Sequence, residues 1–413
     1  MLANADGSGA RRLAVRKVPA YYNPYRLSWS PDGTVIAAGA GTSAGGLRET
    51  AVAVAVADGS EKPLTAHEWL QTKRLSWLSD GHGLVLQAVD AESAGRDQLW
   101  LVAYPGGEVR RITNDLNSYS DATLSTDSSA LVTVQRDQLT SLWVAPQGDA
   151  RRARQTSSGT GKYDGVNGLA WTPDGRLVYA SSASGNLDLW IMEADGTHAR
   201  QLTTDPLVDR WPAVSPDGRS VVFTALRAGS SDLWRMDIDG GNLQPLTRAD
   251  PDFPPEITPD GKWVLYSSSQ SGQPALWKVP LAGGQPSMLS PVGYHGLISP
   301  DGKLVEYVFI DQKASRRRVA VKSWEGGEPL RVFDIAIAHS TRWSPDGRGL
   351  TYVETRDGVA NLWLQPLDGG KPRQLTHFTS DNIFNYAWSR DGKQLAVVRG
   401  NWSSDVVLIS NFR

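Results

Sequence analysis

Apolar residues fall in short runs, and each run ends in a cluster of Gly, Pro, Asp or Ser. Runs such as VVFTAL at 221–226 and WVLY at 263–266 are almost continuous. Strands covered on both faces lose the apolar–polar alternation, because neither face meets water. No stretch of useful length repeats its apolar positions at the helical period. The pattern therefore predicts an all-β chain of short strands.

The runs are themselves periodic. An Asp in a turn of the form Ser/Thr-Pro-Asp-Gly, or its counterpart, recurs at Asp32, Asp80, Asp127, Asp174, Asp217, Asp260, Asp301, Asp346 and Asp391. Successive copies lie 41 to 48 residues apart. A Leu-Trp pair follows in most units, as at Leu189-Trp190 and Leu233-Trp234, and then a Leu-Thr, as at Leu202-Thr203 and Leu246-Thr247. A period of about 40–45 residues with four strands per unit marks the blade of a β-propeller. The fifth unit reads as strands at 211–214, 220–225, 232–237 and 242–246. The fold predicted is a β-propeller of four-stranded antiparallel blades with nine sequence repeats, in a single ring of eight or nine blades over residues 1–413. The last unit ends soon after its third strand, and residues 3–15 resemble the segment that follows that strand elsewhere. They are expected to complete the last blade and close the ring.

The turn explains its own residues. Pro presets the second position, Asp tolerates the third and bonds nearby backbone, and Gly takes the left-handed residue. Ser128 replaces that Gly in one unit. A ninefold motif so explained is construction, not an active site. Three residues before each Asp stands an apolar column: Trp29, Trp77, Leu124, Trp171, Val214, Ile257, Ile298, Trp343 and Trp388. Stacked units need such a column between blades.

The SPDG turn, the strand beginning DLW, the DG turn and the RQLT strand end resemble the propeller repeats of TolB and the tricorn-type peptidases. The C-terminal stretch 370–413 is similar to the ends of bacterial multidomain proteins, acidobacterial ones among them, that carry a serine/threonine kinase or winged-helix domain before a propeller. That resemblance implies a sensory or protein-binding module. This chain contains no kinase or DNA-binding segment.

Composition narrows the partners. The chain has 42 basic and 44 acidic residues, a formal charge of −2. That balance leaves no electrostatic footprint for nucleic acid. There is no cysteine, which removes disulfides, thiolate metal sites and a Cys nucleophile. No signal or membrane-spanning segment is visible, so the compartment stays open; an extracytoplasmic one follows if the chain is the sensor part of a membrane kinase.

Candidate chemistry is thin. Gly41-Thr42-Ser43-Ala44-Gly45 fits a nucleophile elbow in spelling but lacks the strand–turn–helix context. Residues 158–162, SGTGK, lack the first glycine of a phosphate loop. His295 and His339 occupy matched positions near the central opening, without the carboxylate spacing of a metal site. Arg316-Arg317-Arg318 reads as a solvated turn, or as a patch for an anionic partner. The segments that lead into the first strand of each unit are aromatic and polar, and a propeller presents them all on one face around the channel. Tyr25, Trp69, Tyr163, Asp164, Arg210, Trp211, Phe253, Tyr294, His295, His339 and Asn385 are the candidates there, since aromatics and Arg anchor binding surfaces. The expectation is a non-catalytic module, with no metal or cofactor, that binds a protein segment or small ligand on that face. The alternatives are an accessory propeller of a peptidase, a channel-metal lyase, or a TolB-like periplasmic assembly scaffold.

Overall fold

The hairpin corners share one hydrogen-bond plan. In the computed structural model Ser30 Oγ donates to Asp32 Oδ1, the Thr34 amide donates to the same oxygen, and the Val35 amide donates to Ser30 Oγ. The plan recurs at Ser215/Asp217, Thr258/Asp260, Ser299/Asp301, Ser344/Asp346 and Ser389/Asp391. The Gly that follows is left-handed each time, with φ of +68° at Gly347 and Gly392 and +72° at Gly218. Ser128 adopts φ +52° in that place. Its hydroxyl accepts the Ser79 amide of the neighbouring turn at 2.8 Å, which offsets part of the strain.

The structure describes all residues except 18–19, 24–26, 43–47, 91–92, 94, 116, 158–162, 228–229, 249–252, 312–314 and 336–340. The nucleophile-like and phosphate-loop-like segments fall largely or wholly among these. Described strands are short and antiparallel, and most sheets have four strands.

The chain divides into two compact units, where the repeats suggested one ring through residues 1–413. The first comprises Met1–Asp137, Ala228–Ser230 and Trp402–Arg413; the second comprises Gln138–Arg227 and Ser231–Asn401. The first unit holds the sheet of Ala20–Tyr22, Val35–Thr42, Arg48–Ala55 and Glu61–Pro63, with Ser28–Trp29 also on Val35–Thr42. It also holds the sheet of Gln71–Trp77, Gly83–Val89, Gln98–Ala103 and Val109–Arg111.

Residues 2–16 lie along the first of these sheets. Arg16 pairs with Glu61, Arg11 donates to the Val56 carbonyl, and Gly59 sits against the Leu13 carbonyl, where no side chain would fit. Residues 3–15 thus do not supply the outer strand of the last repeat.

That strand comes from elsewhere. In the second unit Asn382–Trp388 pairs with the start of Gln394–Ser410, with Asn382 opposite Gly400. Gly400 then abuts the backbone of Leu139, and the Gln147 amide donates to the Lys393 carbonyl. Arg154–Gln155 completes the sheet on the outside through Trp143 and Val144. An inner pair from the end of the chain is joined to an outer pair from its middle.

Five more four-stranded sheets follow in order, beginning at Leu169–Trp171, Asp209–Val214, Glu256–Ile257, Tyr294–Ile298 and Arg342–Trp343. Each is tied to the next. The Trp211 amide donates to Asn167 O, Arg235 Nη1 to Leu281 O, the His295 amide to Ser267 Oγ, Trp343 Nε1 to Leu297 O, and Tyr386 Oη to Thr351 O. Trp171 Nε1 donates to Ala387 O at 2.9 Å and closes the ring. The second unit is therefore a closed ring of sheets with the first strand of each facing its centre.

The apolar column packs between sheets as expected at Trp77, Trp171, Val214, Ile257, Ile298 and Trp343, all buried. Trp77, Trp171 and Trp343 make the same bond, indole N–H to a carbonyl on the adjoining inner strand. Trp29 departs from the column and is 50% exposed.

Candidate functional site

The inner strands of the second unit enclose a cavity of about 610 Å³. In the second unit the column residues three before each motif Asp border this cavity, and so do the residues four before it. The latter are Ala170, Ala213, Glu256, Leu297, Arg342 and Ala387. Glu256 and Arg342 are the charged members.

Two other lining residues carry backbone strain. Trp211 has φ +58° and His295 has φ +54°, each inside a register shift of its inner strand. A left-handed bulky residue costs about 1–2 kcal/mol. Strain of this kind persists where surrounding structure over-determines it, and it clusters at binding and catalytic sites. The bulges carry Trp211 and His295 to the cavity wall.

Around them the entrance is aromatic. Phe253 stacks on Tyr294 with centroids 5.0 Å apart and meets His295 edge-on at 6.0 Å. The Arg210 guanidinium lies 3.9 Å over the Trp211 ring, and Arg317 lies 5.9 Å from Tyr294. Asn385 is buried, donates to Gly165 O at 2.9 Å and accepts from Arg342 Nη2 at 3.4 Å. Arg342 Nη1 donates to Thr341 O. Among the described residues no carboxylate lies within ion-pair distance of Arg342.

Deeper in the ring two carboxyls face the same guanidinium. Glu306 is fully buried; its Oε1 accepts from Thr341 Oγ1 at 2.7 Å and its Oε2 has no partner among the described residues. Burial pushes its pKa up to about 8, with Arg342 opposing and Glu256 adding to the rise. Glu256 accepts the Ile298 amide at 3.2 Å and keeps some surface towards the cavity. Burial pushes it up to about 7 against the pull of Arg342 and Arg390. His295 is pushed down to about 3 by burial and by the Arg342 charge, so its ring is neutral at neutral pH. Its Nδ1 is buried with no partner among the described residues.

At the other mouth Pro259, Pro300 and Pro345 of the hairpin corners form the rim. The last corner has Arg390 where those have Pro. Arg390 Nη2 donates to the Val214 carbonyl at 3.1 Å, past the intervening sheet, and so lies across that opening.

The structure thus brings Trp211, Phe253, Tyr294, His295 and Asn385 together on one cavity, with Arg210 stacked behind Trp211. Others stand apart. Asp164 is buried and accepts from Ser181 Oγ at 2.6 Å, a bond within its own sheet; it is not on the rim, nor does the neighbouring Tyr163 line the cavity. Trp69 is 2% exposed in the core of the first unit, packed on His67 and Trp100, so it is a core residue and not a rim anchor. Tyr25 and His339 lie outside the described residues. Arg342 and Glu256 stand within inner strands and Glu306 on the next strand, Leu304–Asp311, so none of the three is marked by the aromatic loops in the sequence. Among the described residues no group of three or more His, Asp or Glu is arranged to hold a metal, and no helix is long and apolar enough to cross a membrane.

Comparison with known proteins agrees with the repeats. Residues 184–333 match the tricorn protease N-terminal beta propeller domain, and residues 154–190 match the WD domain, G-beta repeat. An uncharacterized protein of Agrobacterium fabrum is 30% identical over 204 residues, 48% of this chain and 64% of its own length. The Tol-Pal system protein TolB of Anaeromyxobacter sp. is 27% identical over 40% of this chain and 38% of its own. The chain spans less than two thirds of the length of these curated relatives. The crystal structure of TolB from Acinetobacter baumannii is similar at 15% identity and a TM-score of 0.45, covering 86% of this chain and 78% of that one. The repeats, the sheets and the family-model and sequence matches together support a TolB-like β-propeller.

Proposed function

We propose that the chain is a non-catalytic binding module, and that the ring cavity of the second unit receives an extended peptide segment of a partner protein. The carrying observation is the pair of strained residues, Trp211 and His295, held against a cavity they line together with Phe253 and Tyr294. The cavity volume falls in the range of natural ligand sites, about 300–1,000 Å³. Aromatic walls with a few fixed polar groups suit a short peptide, which offers apolar side chains and backbone amides alternately. Relatives include "Tricorn protease homolog 1" and TolB, and both an accessory role beside a peptidase and a scaffold role need such a contact.

The test is equilibrium dialysis of the whole chain against a pool of N-acetylated tetrapeptides with free C-termini, read by mass spectrometry. Wild type retains a subset intact. Trp211→Gly with Phe253→Ala loses that subset while the melting temperature holds, because glycine accepts φ +58° freely. Retention unchanged in the variant contradicts the site, and cleavage of the retained peptides contradicts the non-catalytic reading.

A further inference from the structure

The cavity has two unlike ends. One is aromatic and lined by Phe253 and Tyr294; the other is crossed by Arg390 on its way to the Val214 carbonyl. A chain end enters such a space more readily than the middle of a chain, which needs two exits. The charges then select which end. Arg342 lines the cavity; among the described residues it donates to the Thr341 carbonyl and the Asn385 amide oxygen and lies 6.0 Å from the Tyr386 ring, none of which neutralises it. An α-ammonium is repelled there. A carboxylate matches the planar fork of a guanidinium.

We infer that Arg342 is the anchor for the free C-terminal carboxylate of the peptide that the cavity receives, a substrate class that rests on the binding reading above. Glu256 lines the cavity, and behind the wall the buried Glu306, whose Oε2 has no partner among the described residues, feels the charges of both Arg342 and Glu256. Two ionised carboxylates there would compete for Arg342 and repel the incoming one. Burial favours their neutral forms, as the direction of both shifts indicates. Binding is therefore proton-linked: it is strong where Glu256 and Glu306 are protonated and weakens as they ionise. The groups facing them are Arg342, Arg390, Thr341, the Ile298 amide and the Tyr386 hydroxyl, with Asp217 beside Arg390 and the neutral His295 beside Arg342. Tyr386 is raised, and His295 and Asp217 are lowered, so these three keep their charge between pH 6 and 9.

The experiment compares two matched pools of N-acetylated tetrapeptides, one with free C-termini and one amidated, dialysed against the whole chain. At pH 7 the acids are expected to be retained at least about tenfold over the amides, the scale of one charge-assisted hydrogen bond. Arg342→Gln and Arg342→Lys both remove that preference, Lys less completely. In wild type the preference declines from pH 6 to 9, and Glu306→Gln flattens the decline. Equal retention of acids and amides overturns the carboxylate inference and leaves the cavity reading standing. Retention of neither pool overturns both. Phenylacetate displacing the acids at equal concentration overturns the peptide as the source of the carboxylate. The first comparison uses wild type alone, so a misfolded variant does not spoil it.

Discussion

Single residues carry opposed costs in this protein. Ser128 keeps a left-handed backbone at φ +52° and uses its hydroxyl to satisfy the Ser79 amide. Ser128→Ala keeps the strain and loses the bond, so a loss of about 1 kcal/mol is expected from urea unfolding. Ser128→Gly loses the bond but relieves about 1–2 kcal/mol of strain, so it should be clearly more stable than the alanine variant. Glu306 shows the opposite arrangement, a buried acid whose folded pKa is raised to about 8. A group raised above its unfolded value stabilises fully below the unfolded value, about 4.3 for Glu. That stability is lost as pH rises through the folded value. Glu256, at about 7, acts in the same direction. Melting temperature is thus expected to fall between about pH 5 and 8, and Glu306→Gln should shrink the fall. A flat wild-type profile across that window would contradict the placement of these two acids.

At the scale of elements, two sequence landmarks turn out to be one device. At three Leu-Thr ends the Thr accepts the amide of the Leu in the Leu-Trp pair: Thr203 from Leu189 at 3.0 Å, Thr247 from Leu233 at 3.1 Å and Thr376 from Leu362 at 2.9 Å. Thr113 and Ser157 do the same for Leu99 and Leu142. The bond pins the short outer strand to its neighbour where only two residue pairs otherwise hold it, as at Arg200–Gln201. Thr203→Val should cost about 1–3 kcal/mol by leaving a buried amide less well satisfied, measured by urea unfolding. Such devices are legible because they are local: the turns, the Trp column and the Leu-Thr ends each explain their own spelling. Ring closure was not legible. The strands that complete the last sheet, Ala130–Pro146 and Arg154–Gln155, lie far from Asn382 in sequence and resemble other outer pairs. The site was half legible. Trp211, Phe253, Tyr294, His295 and Asn385 announce themselves as aromatic or polar residues entering an inner strand. Glu256 and Arg342 stand one residue before the column, inside inner strands, and Glu306 lies on Leu304–Asp311, away from the loops that lead into them.

At the scale of the molecule, hydrogen bonds within the second unit link each described sheet of its ring to the next, from Trp171 on Ala387 round to Tyr386 on Thr351. Residues 138–401 alone are therefore expected to fold as a monomer with one cooperative melt and to keep the peptide-binding property of the whole chain. Aggregation of that fragment, with the whole chain well behaved, would contradict the independence of the ring. The central claim is that the ring cavity is where a partner's peptide sits. The most direct measurement is photocrosslinking of the whole chain with the retained tetrapeptides carrying a benzophenone, followed by mapping of the adducts. The adducts should fall on peptides that contain Trp211, Phe253 to Pro255, Tyr294–His295 or Phe384–Asn385. Adducts confined to residues 1–137 would contradict it.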